Sequence, residues 1–158
     1  MLFRSYDRAD VESCVRAFGG RAAQYILTSS IVVYHDVTPL APLSENAADL
    51  TFLTPDGYTK GSAPHATLGH KYSEEKRRAE LMLQQLDRSV FNFTVLRPPI
   101  VVGPDDRTRR VWWFVQRILD GGPFVIPDYR PVPIFQLVYA DDLARAYAEA
   151  AGHPAAMN

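Results

Sequence analysis

The length, composition and charge of this chain exclude several classes of protein. It has 158 residues, of which 47% are apolar and 22% charged, so it is long enough for one globular domain and too apolar for a disordered tail. A formal net charge of −1 gives no general attraction to nucleic acid or anionic lipid, and no run is apolar enough to span a bilayer. We therefore expect no nucleic acid and no membrane among its partners.

The cysteine content and the N-terminal residues indicate the compartment. Cys14 is the only cysteine, so an intrachain disulfide is impossible. The first residues of the chain lack the apolar run of a secretory signal. A reducing, cytoplasmic setting is therefore expected.

The first half of the chain predicts a helix, a strand and a long irregular segment. The helix covers residues 7–18, with Asp7 as its N-terminal cap and Gly19-Gly20 as its stop. Its apolar residues follow helical spacing, at Val11, Cys14, Val15 and Phe18. Residues 24–30 form a short apolar run typical of a buried parallel strand. Residues 35–69 hold several prolines and glycines, which predicts a long loop region with a role in function.

The second half of the chain alternates helices and strands. Helices are predicted over 72–86, 108–120 and 142–151, the last capped by Asp141, and strands over 91–96, 100–102 and 134–139. This alternation predicts a parallel sheet with helices on its faces, in which sites form beyond the carboxyl ends of the strands. The segments at those ends are Ser29-Ser30, Arg97-Pro98-Pro99 and Tyr139-Ala140-Asp141.

Tyr72 and Lys76 are the first candidates for chemistry. They are four residues apart on a predicted helix and therefore share a face, one turn apart. A lysine ammonium beside a phenol favours the phenolate, which allows the tyrosine to exchange a proton with a substrate hydroxyl or carbonyl. Ser30, directly after a predicted strand, is placed to hold the same oxygen. Taken alone, the pair is also explained by a solvated helix face on which Tyr72 packs.

Four segments together resemble one family, in the order in which that family has them. Residues 25–34 are similar to a strand ending in Ser-Ser-x-x-x-Tyr, and residues 72–76 match Tyr-x-x-x-Lys. Residues 96–104 resemble the strand with Arg-Pro and Gly-Pro that follows this helix, and residues 138–144 resemble the segment that opens the late helix. The family is the extended short-chain dehydrogenase/reductase family, of the NAD-dependent epimerase/dehydratase type.

The resemblance implies an α/β fold, namely a partial Rossmann-like, doubly wound parallel sheet with helices on both faces. Residues 1–158 would form a single partial NAD(P)-binding domain. The implied activity is that of an epimerase, dehydratase or reductase that uses NAD or NADP. Its substrate would be a small polar metabolite, such as a nucleotide-sugar, that reacts at a hydroxyl/carbonyl carbon.

The same resemblance assigns roles to individual residues. Tyr72 would be the catalytic acid/base, Lys76 would lower its pKa and bind the nicotinamide ribose, and Ser30 falls on the catalytic serine/threonine position. Ser29 would support Ser30, and Arg97 would be structural. The residues implied to bind the cofactor are Ser29, Tyr72, Lys76, Pro98 and Pro99.

The chain also departs from the family's pattern. Members begin with a strand, a Gly-x-x-Gly-x-x-Gly turn and a helix whose N-terminus binds the pyrophosphate, and the sequence holds no such turn. Gly19-Gly20 is predicted to end a helix instead. A doubly wound sheet without its first strands exposes an apolar edge. We therefore expect a homo-oligomer, a complementing chain or a fragment of a longer product.

Three kinds of function remain open from the sequence. The chain is an enzyme of this family, or a non-catalytic remnant or split subunit that acts as a binding or regulatory protein. A third possibility, an RNA-associated protein, is disfavoured by the net charge of −1. His65 and His70 lack a second set of ligands at suitable spacing, so no metal is expected.

Two further groups of residues have two interpretations each. Trp112-Trp113 either faces the substrate or packs in a core or interface. Arg107, Arg109 and Arg110 either bind an anionic group of the substrate or form a solvated first turn of a helix, where their charge opposes the helix dipole.

Overall fold

The computed structural model describes residues 7–34, 43–48, 50, 67–89, 91–124, 128 and 136–157. The chain divides into two compact units, one made of residues 1–98 and 148–158 and the other of residues 99–147. In the described part, helices and strands alternate in the predicted order. The prediction that residues 1–158 form a single domain stays a prediction.

The first helix, α1 (Arg8–Phe18), begins and ends as the sequence predicts. The Asp7 side chain accepts a hydrogen bond from the Asp10 N–H at 3.0 Å, which satisfies one of the donors left open at a helix N-terminus. At the other end, the Gly19 N–H donates to a carbonyl of the last turn at 2.8 Å. Gly20 then has φ +68°, a left-handed conformation that glycine adopts without strain.

The core of the first unit combines α1, a second helix and a parallel sheet. The second helix, α2, covers Thr67–Gln84, and the strands are β1 (Tyr25–Thr28) and β2 (Phe93–Leu96). The strands pair from Tyr25 with Phe93 to Thr28 with Leu96. Buried side chains form one cluster, made of Val11, Cys14, Tyr25, Leu27, Ala79, Leu83, Phe91 and Phe93. Because the strands are parallel, their carboxyl ends meet at one edge of the sheet.

The second unit contains another two-stranded parallel sheet. Its strands are β3 (Ile100–Val102) and β4 (Leu137–Tyr139), and the helix α3 (Arg110–Leu119) lies between them in sequence. The helix α4 (Ala140–Ala150) follows β4, and its last residues belong to the first unit. None of the residues of α3 is buried, and several of its large apolar side chains are more than half exposed.

Three helices begin at residues other than the predicted ones, and one of them is α3, which begins at Arg110 and not at Thr108. The helix α2 begins at Thr67 and not at Tyr72, so part of the segment predicted to be irregular is helical. The last proline before this helix is Pro64, and nothing after it interrupts helical hydrogen bonding. The helix α4 begins at Ala140, directly after β4, so Asp141 lies in its first turn and is not its cap. A carboxylate in that turn still interacts favourably with the helix dipole.

Little of the predicted loop region over residues 35–69 can be compared with the structure. A short 3-10 helix covers Glu45–Ala47, and another, Ile31–Tyr34, precedes the region. Residues 35–42, 49 and 51–66 lie outside the described residues.

The predicted fold class is confirmed at the level of secondary structure and strand direction. The described chain is mixed α/β with parallel strands in two small sheets, consistent with a partial Rossmann-like fold. Within the described ranges, no helix is both long and apolar enough to cross a membrane.

Candidate active site

Three side chains of α2 attach this helix to the segment that leaves β1. Each is a buried donor, and each bonds to a backbone carbonyl of residues 28–33. The bonds are Ser73 Oγ to Val32 O (2.6 Å), Lys76 Nζ to Thr28 O (2.9 Å) and Arg77 Nε to Val33 O (2.8 Å). Because a buried carbonyl without a partner is costly, these bonds favour one arrangement of α2 against this segment.

Tyr72 and Lys76, the predicted acid/base and its partner, lie side by side on α2. The Lys76 Nζ is 5.6 Å from the centroid of the Tyr72 ring. Tyr72 is 39% exposed and therefore accessible to a ligand, whereas Lys76 is only 3% exposed. An ammonium withdrawn from water acts on a neighbouring phenol through a medium of low dielectric, which strengthens its effect. The two side chains are neighbours on one face of α2, and their catalytic role stays a prediction.

Ser30 lies on the segment that α2 holds. The residues on either side of it extend the pairing of β1 with β2. The Ser29 N–H donates to the last carbonyl of β2 at 2.8 Å, and the Ile31 N–H donates to the Pro98 carbonyl at 3.2 Å. The structure therefore brings Ser30 and Pro98 to the same edge of the first sheet, beside the helix that carries Tyr72.

Ser29 and Pro99 are the two remaining residues of the predicted site. Ser29 is buried, and its hydroxyl donates to the carboxylate of Glu80, so its side chain points into the first unit. This contact suits the supporting role expected of Ser29. Pro99 is the first residue of the second unit. Contact of either residue with a cofactor stays a prediction.

An ion pair between Glu80 and Arg97 joins this site, and the sequence did not reveal it. Glu80 is 1% exposed, and Arg97 Nη2 lies 2.6 Å from Glu80 Oε2. Arg97 Nη1 donates to Tyr34 Oη and to the Glu45 carbonyl, both at 2.6 Å. Burial by itself lowers the pKa of Arg97, but the hydrogen bonds and charge of Glu80, assisted by Tyr34, raise it above its ordinary value. Arg97 is therefore a cation at any physiological pH.

Helical spacing could have indicated Glu80 from the sequence. It follows Lys76 by four residues, so it lies on the same face of α2, one turn further on. A glutamate on a face that also packs on a strand needs a cationic partner. Spacing does not identify that partner, which the structure shows to be Arg97.

The second unit has a cleft of about 600 Å³ at the N-terminal end of α3. Its lining residues are Val102, Gly103, Asp105, Asp106, Arg109, Val111, Trp112, Val115 and Tyr139. The hydroxyl and the backbone N–H of Thr108 bond to Asp106 and lower its pKa below the ordinary value. Arg109 has φ +51°, a left-handed conformation that is strained for a residue other than glycine.

The two adjacent tryptophans have different surroundings. Trp112 lines this cleft and is 52% exposed. Trp113 packs in an aromatic cluster, with its ring 5.0 Å from Phe114 and 6.1 Å from Phe124. Trp113 is 55% exposed and is therefore not a core residue, and contact of either tryptophan with a substrate stays a prediction.

The residues at the edge of the first sheet fit part of a nicotinamide dinucleotide. A phenol and an ammonium, as in Tyr72 and Lys76, are suitable partners for ribose hydroxyls and for a carbonyl. Gly19 and Gly20 end α1, so they do not provide the turn before a helix that would hold a pyrophosphate. Among the described residues, no group of three His, Cys, Asp or Glu side chains is arranged to hold a metal. His65 and the side chain of His70 lie outside those residues.

Comparison with known proteins identifies the family. The model of the NAD dependent epimerase/dehydratase family matches residues 11–158, which include all four segments that carry the resemblance. No curated protein and no solved structure matches the chain. The family match implies the use of NAD or NADP in an oxidoreductase reaction. The chain belongs to the NAD-dependent epimerase/dehydratase family.

Proposed function

We propose that this chain carries the acid/base centre of an epimerase, dehydratase or reductase, with Tyr72 as the group that moves the proton. The substrate would be a small polar metabolite with a hydroxyl or carbonyl carbon, such as a nucleotide-sugar. The proposal rests on one observation, namely an exposed tyrosine whose ring centroid lies 5.6 Å from a buried ammonium. This arrangement is costly to fold and useful for proton transfer.

The residues would divide the work in the following way. The Lys76 ammonium, held by the Thr28 carbonyl, favours the phenolate of Tyr72 and so lowers the pKa of that side chain. The phenolate accepts the proton of the substrate hydroxyl as the C–H bond of the same carbon breaks. In the reverse direction, the phenol returns the proton to the carbonyl oxygen. Ser30 would bind this oxygen and orient it.

A bound dinucleotide would be held in part by Lys76 and Tyr72, with Pro98 at the same edge of the sheet. When bound, it supplies the acceptor for the hydride that leaves the substrate carbon, or the donor in the reverse direction. Lys76 keeps its place through its bond to the Thr28 carbonyl.

The Tyr72→Phe variant tests the acid/base role. The change removes one hydroxyl from an exposed ring, so the fold and its unfolding midpoint should not change. Turnover should fall by about 10²- to 10⁴-fold, as expected for loss of a general acid/base. The assay follows the conversion of a panel of nucleoside-diphosphate sugars by chromatography, and for a reductase also the absorbance of reduced nicotinamide. Tyr147→Phe, on α4, is the matched control and should keep its turnover.

A calorimetric titration separates the enzyme from its alternative. The purified chain is titrated with NAD⁺ and with NADP⁺ while its mass in solution is recorded. Binding with a micromolar dissociation constant would support the enzyme, and the mass would show whether a homo-oligomer is required. A folded chain that binds neither dinucleotide would favour a split subunit or a binding and regulatory protein.

A further inference from the structure

The face of α2 that packs beside β1 is polar where a helix normally buries apolar side chains. Its residues follow the spacing i, i+3, i+4, i+7, and all are almost completely buried: Ser73 2%, Lys76 3%, Arg77 4% and Glu80 1%. Three of them bond to backbone carbonyls of residues 28–33, at the end of β1 and just beyond it. Such a face is tolerated only when each polar group has a partner of the right geometry.

Glu80 connects this face to both strands of the first sheet. Its carboxylate accepts the hydroxyl of Ser29, which follows β1, and the guanidinium of Arg97, which follows β2. The bond to Arg97 is forked, because Arg97 Nε donates to Glu80 Oε1 at 3.1 Å and Arg97 Nη2 donates to Glu80 Oε2 at 2.6 Å.

The other edge of the guanidinium binds the segments beyond β1. Arg97 Nη1 bonds to Tyr34 Oη and to the Glu45 carbonyl, and the Tyr34 ring lies 5.0 Å from the guanidinium carbon. The ion pair therefore joins four segments of the chain, namely α2, residues 29–34 after β1, the segment of Glu45 and the segment of Arg97 after β2.

Stability alone is a weak explanation for this ion pair. The loss of hydration of two buried charges offsets most of their attraction, and apolar side chains of similar size often stabilise a fold as well or better. Unlike apolar contacts, a forked hydrogen bond depends on the direction between its two partners. It therefore forms only when α2 has one position and one rotation about its axis. The bond from Ser29 fixes the residue next to Ser30, and Glu80 lies only two turns along α2 from Tyr72.

We propose that Glu80 and Arg97 are positioning residues, which set α2 against the carboxyl end of β1 so that Tyr72 and Ser30 address the same oxygen. Neither residue touches the substrate. This inference rests on the proposed function, because it concerns the relative placement of its two hydroxyl groups.

The experiment measures how strongly Ser30 acts on Tyr72, with no substrate needed. The ionisation of Tyr72 is followed by NMR with ¹³C-labelled tyrosine, and its signal is assigned by its loss in Tyr72→Phe. The proposed arrangement puts the Ser30 hydroxyl within reach of the Tyr72 phenolate, so Ser30→Ala in the parent chain should raise the pKa of Tyr72. The measurement is repeated with Ser30→Ala in a Glu80→Met/Arg97→Met background.

In the Glu80→Met/Arg97→Met background, Ser30→Ala should change the pKa of Tyr72 by less than half as much as it does in the parent chain. The unfolding midpoint should change little. Arg97→Lys, which keeps the charge and loses the fork, should also weaken the effect and serves if the double variant does not fold. The same pair of changes at the exposed Arg8–Glu12 ion pair of α1 is the control and should leave the effect intact.

The outcomes separate the inference from the proposed function. An undiminished effect of Ser30→Ala in a folded Glu80→Met/Arg97→Met chain would overturn the inference alone, since the ion pair would then only support the fold. No effect of Ser30→Ala in the parent chain would also overturn the inference, because the two hydroxyl groups would then not lie together. The proposed function fails on a different result, namely a Tyr72→Phe variant that keeps its turnover.

Discussion

The buried ion pair between Glu80 and Arg97 makes a quantitative prediction about stability. In Arg97→Met, the carboxylate of Glu80 stays 1% exposed and loses the forked bond, so only the hydroxyl of Ser29 remains of its described side-chain partners. An unpaired buried charge of this kind costs about 3–5 kcal/mol. Glu80→Met should cost less, about 1.5–3 kcal/mol, because the Arg97 side chain is 16% exposed and keeps Tyr34 and the Glu45 carbonyl.

The double variant distinguishes an ion pair from two independent contacts. Glu80→Met/Arg97→Met leaves no unpaired charge, so its free energy of unfolding should lie within about 1 kcal/mol of the parent. The assay is urea unfolding followed by circular dichroism, with equal m-values required before free energies are compared. The reasoning would be refuted if the decreases in the free energy of unfolding of the two single variants simply added in the double variant. A decrease below about 1 kcal/mol in Arg97→Met would refute it as well.

Three further predictions concern other parts of the chain. Leu83→Ala removes a fully buried core side chain and should cost about 2–5 kcal/mol by urea unfolding, whereas the exposed Gln84→Ala should change stability by less than about 0.5 kcal/mol. Gln24→Ala removes an amide that donates to the Thr94 hydroxyl and the Ala150 carbonyl, so amide exchange after α4 should accelerate. The pKa of Asp106 is lowered, so its contribution to stability is present above the ordinary value of 3.8 and is lost as pH falls below it. In Asp106→Asn, the midpoint of acid unfolding should therefore move to a higher pH, or the free energy of unfolding should depend less on pH.

Each of these predictions has an outcome that contradicts it. Equal decreases in the free energy of unfolding for Leu83→Ala and Gln84→Ala would mean that the apolar cluster does not stabilise the first unit. Unchanged exchange in Gln24→Ala would show that the C-terminal residues are held by other contacts. An acid transition that is identical in the parent and in Asp106→Asn would remove the role given to the Thr108 bonds.

Local chemistry explains which parts of the fold could be predicted. The start and end of α1 followed from Asp7 and Gly19-Gly20, whose side chains and backbone act within a few residues. The start of α2 was missed, because strong helix formers and the absence of a proline allowed the helix to extend toward a segment rich in loop residues. The start of α4 was missed because β4 leads into it without an intervening cap.

The site was predictable to the same extent. The spacing of Tyr72 and Lys76 defined their shared face, and the order of strands placed Ser30 and Pro98 at one edge of a parallel sheet. Spacing could not show that Lys76 would be buried and Tyr72 exposed, since burial depends on what packs against the helix. It also could not separate Trp112 from Trp113, because neighbouring residues on a helix point to different surroundings.

The sequence by itself determined the family, the order of the elements and the candidate residues for the chemistry, because these depend on local spacing and on motifs. Only the tertiary structure decided which charges meet in the interior. Glu80 and Arg97 are separated in sequence by a turn and a strand, and their pairing arises because α2 packs across the ends of β1 and β2. A buried charge selects its partner by distance and direction in three dimensions, and helical or strand periodicity contains neither.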